Sequence, residues 1–142
     1  MQSGITTTRL QRGADGRFVT LRRQLGVTSF GLNQIVLRPG QRGRIHRHLH
    51  QEEVYLVLAG TLTIVLESES IDLGADELIR IAPDVRRQLV NRGREPVVIV
   101  AIGGAAEHLG RDGEAFAAWE DTTPATPQEL SMPPDLPTDE LR

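Results

Sequence analysis

The 142-residue sequence contains no cysteine and no lysine, so all sixteen of its basic residues are arginine. Without cysteine no disulfide framework can form, and nothing in the composition argues for an oxidising compartment. The absence of lysine reads as the amino-acid bias of a GC-rich genome rather than as a functional signal. Aromatic residues make up only 4% of the chain, too few to build stacking platforms for nucleic-acid bases. No apolar run approaches the roughly 18 residues of a membrane-spanning helix, and the first residues lack the apolar core of a signal peptide. The expectation is one soluble, cytoplasmic domain with no nucleic-acid or membrane partner.

Charge is unevenly placed. Residues 1–119 carry fifteen arginines against thirteen acids, a formal +2, whereas residues 120–142 carry one arginine against six acids, a formal −5. The same C-terminal stretch holds Pro124, Pro127, Pro133, Pro134 and Pro137, which excludes long regular elements there. This divides the chain into a domain over 1–120 and a Pro-rich acidic tail over 121–142, either disordered or laid over a surface as an arm.

The body reads as strand after strand. Alternation of apolar and polar residues marks Arg17 to Arg22 and Ser29 to Leu37, followed by the turn signal Arg38-Pro39-Gly40. Further candidates are Glu53 to Ala59, Thr61 to Leu66, Ile71 to Leu73, Glu77 to Ile81, Arg86 to Val90 and Pro96 to Ile102. Short strands separated by Gly or Pro indicate an all-β, antiparallel barrel or sandwich rather than βαβ units. Gly113 to Glu120, with Phe116 and Trp119, is expected to form one short helical turn.

The richest stretch runs from His46 to Gly60. His46, His48 and His50 alternate with Arg47 and Leu49, so in an extended chain all three imidazoles would share a face. Imidazole nitrogen completed by a carboxylate is a donor set for a divalent transition metal, and two histidines with one acid suit a non-heme iron centre. Glu53 is the nearby carboxylate. It follows His48 after four residues, enough for the chain to turn and run back alongside.

Gly40, five residues, His46-x-His48, four residues, Glu53, six residues and Gly60 together resemble the first motif of the cupin superfamily in every defining position. The resemblance implies an antiparallel jelly-roll barrel and assigns one divalent metal (Fe, Mn, Ni or Zn) to His46, His48 and Glu53. It gives His50 no established role. The second cupin motif is matched less fully, over Gly74 to Asn91: counting back four from Asn91 reaches Arg87, where the family places a fourth, histidine ligand. An arginine cannot ligate a metal, since it stays protonated and has no acceptor, but it can grip a carboxylate. The alternatives for the fourth position are His50, Gln88 or water; three protein ligands with solvent or substrate is the favoured arrangement.

Around this set, Arg87, Tyr55 and His50 are the candidate substrate-binding residues. If the barrel register holds, Arg87 and Leu89 point inward while Arg86 and Gln88 face out; a register shift of one would leave Arg87 solvated, and the two readings stand level. An inward Arg87 would need an anionic substrate or Glu53 as its partner. Tyr55 shares a face with Glu53, as a pocket phenol or as a core tyrosine with its hydroxyl satisfied. His50 reads as a support behind the ligands or as pocket wall, and His108 as a surface histidine outside the site.

The leading reading is a small cupin that binds a small molecule at the open positions of its metal, an anion if Arg87 orients it, with oxygenase- or isomerase-type chemistry. The competing reading is a non-catalytic binding or sensing module with weak metal or none. A homodimer is expected from the resemblance.

Overall fold

The structure is a computed structural model that describes residues 2–13, 16–105 and 112–142. His108 lies outside the described residues. Ten strands carry the fold: β1 (Phe18–Thr20), β2 (Gly31–Leu37), β3 (Ile45–His48), β4 (Glu52–Ala59), β5 (Leu62–Val65), β6 (Ser70–Leu73), β7 (Leu78–Ile81), β8 (Gln88–Val90), β9 (Val97–Gly104) and β10 (Gly113–Phe116). One helical turn, α1 (Leu21–Leu25), follows β1.

The strands form a five-stranded sheet ordered β1-β2-β9-β4-β7, a three-stranded sheet β6-β5-β8 and the pair β10-β3. Every strand pairing among the described residues is antiparallel. The β3 pair is tied to β8 by isolated bridges, Arg42 to Val90 and His46 to Arg87. The layers face each other across one core. Ile35, Tyr55, Val57, Ile81, Ile99 and Ala101 from the large sheet meet Leu62, Ile64, Leu73 and Leu89 from the small one. The period-2 pattern explains this: alternate residues of β4 and β9 point inward and their neighbours point out.

Gly60 closes the tight turn from β4 into β5 with φ +77. Any Cβ there would collide with the Pro96 carbonyl, so the turn admits only glycine. No helix among the described residues is long and apolar enough to cross a membrane.

Two expectations are corrected. The strand expected over Arg17 to Arg22 ends at Thr20, because Leu21 drops into the core and Gly26, in the left-handed region, caps a turn of helix. Gly113 to Phe116 is not helical. It pairs with β3 in register, Gly113 opposite His48 and Phe116 opposite Ile45, so that Ala115 and Phe116 are buried. Gln88 and Arg86 turn away from the core, as the alternation predicts, and are covered there by neighbouring chain. Gln88 donates to the Gly43 carbonyl, and Arg86 donates to the carbonyls of Trp119 and Asp121 while stacking on Phe116.

The chain after β10 runs against the body. Ala125 bridges Ala115, Arg44 donates to the Leu130 carbonyl, Arg42 to the Pro134 carbonyl, and the Leu136 N–H donates to the Gly40 carbonyl. Two 3-10 turns, Pro127–Glu129 and Thr138–Glu140, interrupt it.

Candidate metal centre

His46 and His48 lie two apart on β3 and therefore share its inward face, while Glu53 is the second residue of β4. The ligand-capable atoms of these three residues all lie within 4.8 Å of one another. The two imidazoles meet edge to face, with ring centroids 5.4 Å apart. His48 Nε2 lies 3.1 Å and His46 Nε2 3.5 Å from Glu53 Oε1.

The other nitrogen of each ring is already committed. His48 Nδ1–H donates to Asp112 Oδ1 at 2.8 Å, and His46 Nδ1–H donates to the Arg44 carbonyl at 3.1 Å. Those bonds fix the tautomer, so in each neutral ring the lone pair is on Nε2. Two lone pairs then face a carboxylate oxygen. Acceptors do not stabilise one another; a cation between them does. His48 Nε2 is indeed buried and has no hydrogen-bond partner among the described residues. The donor set and its orientation fit a divalent metal on all three residues.

In the metal-free state a proton must do the same work. Burial alone would lower the His48 pKa, but a proton on Nε2 could be donated to Glu53 Oε1, 3.1 Å away, and that interaction with the acid, together with the bond to Asp112, outweighs burial and raises it. Burial would likewise raise the Glu53 carboxyl. The hydrogen bonds and charges of His46 and His48 win there, and hold it well below the usual carboxylate range.

Arg87 is fully buried, opposite His46 in the antiparallel bridge, with both backbone bonds made at about 3 Å. The inward reading is thus the one the fold adopts. Its Nη2–H donates to Glu53 Oε1 at 2.5 Å and its Nη1–H to the Val85 carbonyl at 2.7 Å. The guanidinium stands beside the ligand cluster, bound to the acid. Tyr55 is buried on the same face; its hydroxyl donates to Glu53 Oε1 at 2.6 Å and lies 3.5 Å from His46 Nε2. Burial first, and then the neighbouring Glu53 charge, pushes its phenol well above the ordinary value, so it stays protonated.

His50 sits elsewhere. β3 ends at His48, so the alternation does not reach it, and its ring lines a groove with Phe30, Arg80 and Ile102. The cavity at the cluster, about 190 Å³, is lined instead by His46, His48, Glu53 and Tyr55 against apolar walls such as Ile35, Leu37 and Leu89. Gln88 is turned away toward Gly43.

Sequence reasoning missed Asp112. Nearly buried, it also accepts the N–H groups of His50 and Gln51, which tie down the turn between β3 and β4. Burial would raise its pKa, but these backbone bonds and His48 lower it, so it remains an anion. Asp112→Ala is expected to weaken metal affinity about 10–100-fold, the usual cost of losing the group that orients a ligating imidazole. Competition against a chromophoric chelator measures this directly.

Comparison with known proteins agrees with this geometry. A family model described as a cupin domain matches residues 33–103, half of the chain. Polyketide synthase CurC of Streptomyces cyaneus is 33% identical over 90 residues, which are 63% of this chain and 58% of that protein. The tetracenomycin polyketide synthase protein TcmJ of Streptomyces glaucescens is 27% identical over 63% of this chain and 60% of its own. The match thus spans about three-fifths of each relative. Among solved structures, a cupin protein from Bacteroides fragilis superposes with TM-score 0.65 at 24% identity, covering 86% of this chain and 98% of that one. A sugar phosphate isomerase from a cupin superfamily, from Silicibacter pomeroyi, gives 0.62 at 23% identity, covering 71% and 65%. At these identities the structures establish the fold alone. A family motif filled by residues that converge in space, and a family model that spans them, place this chain in the cupin family.

Proposed function

We propose that this cupin holds one divalent transition metal on His46, His48 and Glu53 and uses the remaining coordination positions to bind a small oxygen-rich molecule. The observation that carries this reading is the pair of oriented Nε2 lone pairs facing Glu53, with His48 Nε2 buried and lacking a hydrogen-bond partner. Bound there, the metal supplies Lewis acidity, and as iron it supplies oxygen-activating chemistry, which keeps both isomerase and oxygenase reactions within reach.

The residues around it would set the charge. Arg87 cancels Glu53, and an imidazole that ligates a metal carries no charge, so a divalent ion would keep its full +2 within apolar walls. That favours an anionic ligand, such as a carboxylate or enolate. Tyr55, with its raised pKa, would stay a hydrogen-bond donor. The polyketide synthase names of two relatives support a carbonyl-rich ligand. The non-catalytic alternative is favoured by one observation: Arg87 occupies the fourth ligand's place and draws on Glu53, which weakens that acid as a donor. Ligand binding that survives chelation would decide for it.

The same proposal includes closure of the sheets into a jelly-roll barrel over 1–120, supported by the bridges between β3 and β8, with 121–142 as an arm on its surface. It includes a homodimer, supported by exposed Leu78 and Ile102 on the outer face of the large sheet. A cytoplasmic location rests on the cysteine-free composition.

Thermal denaturation with added Mn²⁺, Fe²⁺, Ni²⁺ or Zn²⁺ tests the metal reading. At a thousandfold excess over Kd a native-state ligand adds about 4 kcal/mol, which raises Tm by about 10–15 °C for a domain of this size, and EDTA should reverse it. The shift should shrink on acidification from pH 8 to 6. A raised His48 pKa means the metal-free protein gains stability from protonated His48 below about 6.5 and loses it as pH rises through the raised value. Metal competes with that proton. Equal shifts at both pH values would contradict the assignment of His48.

A further inference from the structure

We infer that Arg22 and Arg23 form an anion-recognition subsite at the mouth of the metal cavity, so that the ligand carries a second anionic group remote from its metal-binding oxygen. The inference rests on the proposed metal site, since that site supplies the ligand's other anchor.

An opening of about 480 Å³ adjoins the cavity at the cluster and shares His48, Glu53, Asn33 and Pro127 with it, and its lining also includes Arg22 and Arg23. Arginines on a surface are usually solvated and need no explanation. Two observations set this pair apart.

The first concerns partners. Among the described residues no acid pairs with Arg22 or Arg23, and Arg22, half-buried, has its Nε out of contact with water and without a hydrogen-bond partner. A buried guanidinium N–H left unmade costs free energy that an incoming acceptor would recover.

The second is that the acids lining the same opening are already spent. Glu53 accepts from Arg87 and Tyr55, and Asp112 accepts from His48 and from the N–H groups of His50 and Gln51. The mouth therefore presents two cationic side chains with no counter-ion among the described residues. They are also held in place. α1 is anchored by buried Leu21, capped by Gly26 and preceded by β1, which is bonded to β2. Such support is what a recognition element requires.

The ligand class that matches is a small molecule with a chelating oxygen at one end and a carboxylate or phosphate at the other. Isothermal titration of metal-loaded protein can test both versions. In one arm 2-oxoglutarate is compared with 2-oxopentanoate, which lacks the distal carboxylate; in the other, 3-phosphoglycerate is compared with glycerate. The doubly anionic member of at least one pair should bind about tenfold tighter or better, a difference of 1.4 kcal/mol. In an Arg22→Gln/Arg23→Gln variant that preference should vanish while metal content is unchanged. The arm that discriminates names the group.

Metal content measured on the same samples separates the two ideas. Protein that takes up no metal overturns the metal site and this inference together. Metal-loaded protein that shows no preference in either pair, or keeps its preference in the double variant, overturns the subsite alone.

Discussion

Glu53→Ala is expected to cost about 3–5 kcal/mol of folding stability, far more than one acid at a cavity wall ordinarily contributes. The reason is Arg87. Its side chain is fully buried, it cannot shed its proton, and Glu53 is the carboxylate it bonds. Removing one partner of a buried ion pair strands the other, and the stranded charge dominates the loss. A double variant, Glu53→Ala/Arg87→Met, should recover most of it, because replacing a buried pair by packed apolar groups is often neutral. Urea denaturation of the single and double variants reads both numbers. The pH dependence follows from the same acid and its two histidine neighbours. Glu53 is held well below its ordinary pKa, so its stabilising contribution is complete above the usual carboxylate range and is lost only as pH falls through its lowered native value. If the double variant is no more stable than the single one, the Arg87–Glu53 pairing does not contribute as described.

Arg87→His should do the opposite for the metal. The position lies opposite His46 in the bridge between β3 and β8, so an imidazole there would approach the cluster from the side the guanidinium now occupies. The change adds a nitrogen donor, removes a positive charge adjacent to a cation, and frees Glu53 from its bond to Arg87. Metal affinity should rise about tenfold or more, on the order of 1.4 kcal/mol, in competition titrations. Anionic ligands should bind the variant less well, since part of the site's positive charge is gone. Unchanged metal affinity would mean that Arg87 neither blocks the fourth position nor draws on Glu53.

The convergence of His46, His48 and Glu53 was legible in the sequence because it depends on local geometry. Two histidines separated by one residue share a strand face, and four residues suffice to bring the next strand alongside. What the sequence could not carry was set by distant chain. His50 looked like a third imidazole of the same strand, yet the strand stops at His48, where Asp112 captures the N–H groups of His50 and Gln51 from more than sixty residues away. Asp112 itself sits in a Gly-rich stretch that reads as a turn, and no local pattern marks it as the partner of His48. Gly113 to Phe116 is too short to declare a period. It is a strand because β3 offers an unpaired edge. Whether Arg87 points inward stood level until the bridge to His46 fixed the register. Gln88 faces away from the core as alternation requires, and is nevertheless buried beside the chain after β10.

The most direct test is elemental analysis of wild-type protein and a His46→Ala variant, each purified without added metal and then titrated with Mn²⁺, Fe²⁺, Ni²⁺ and Zn²⁺. Convergence of His46, His48 and Glu53 on one cation predicts uptake of about one metal ion per chain in the wild type and its loss in the variant. Uptake well below one per chain, with the same residual amount in His46→Ala, would contradict it.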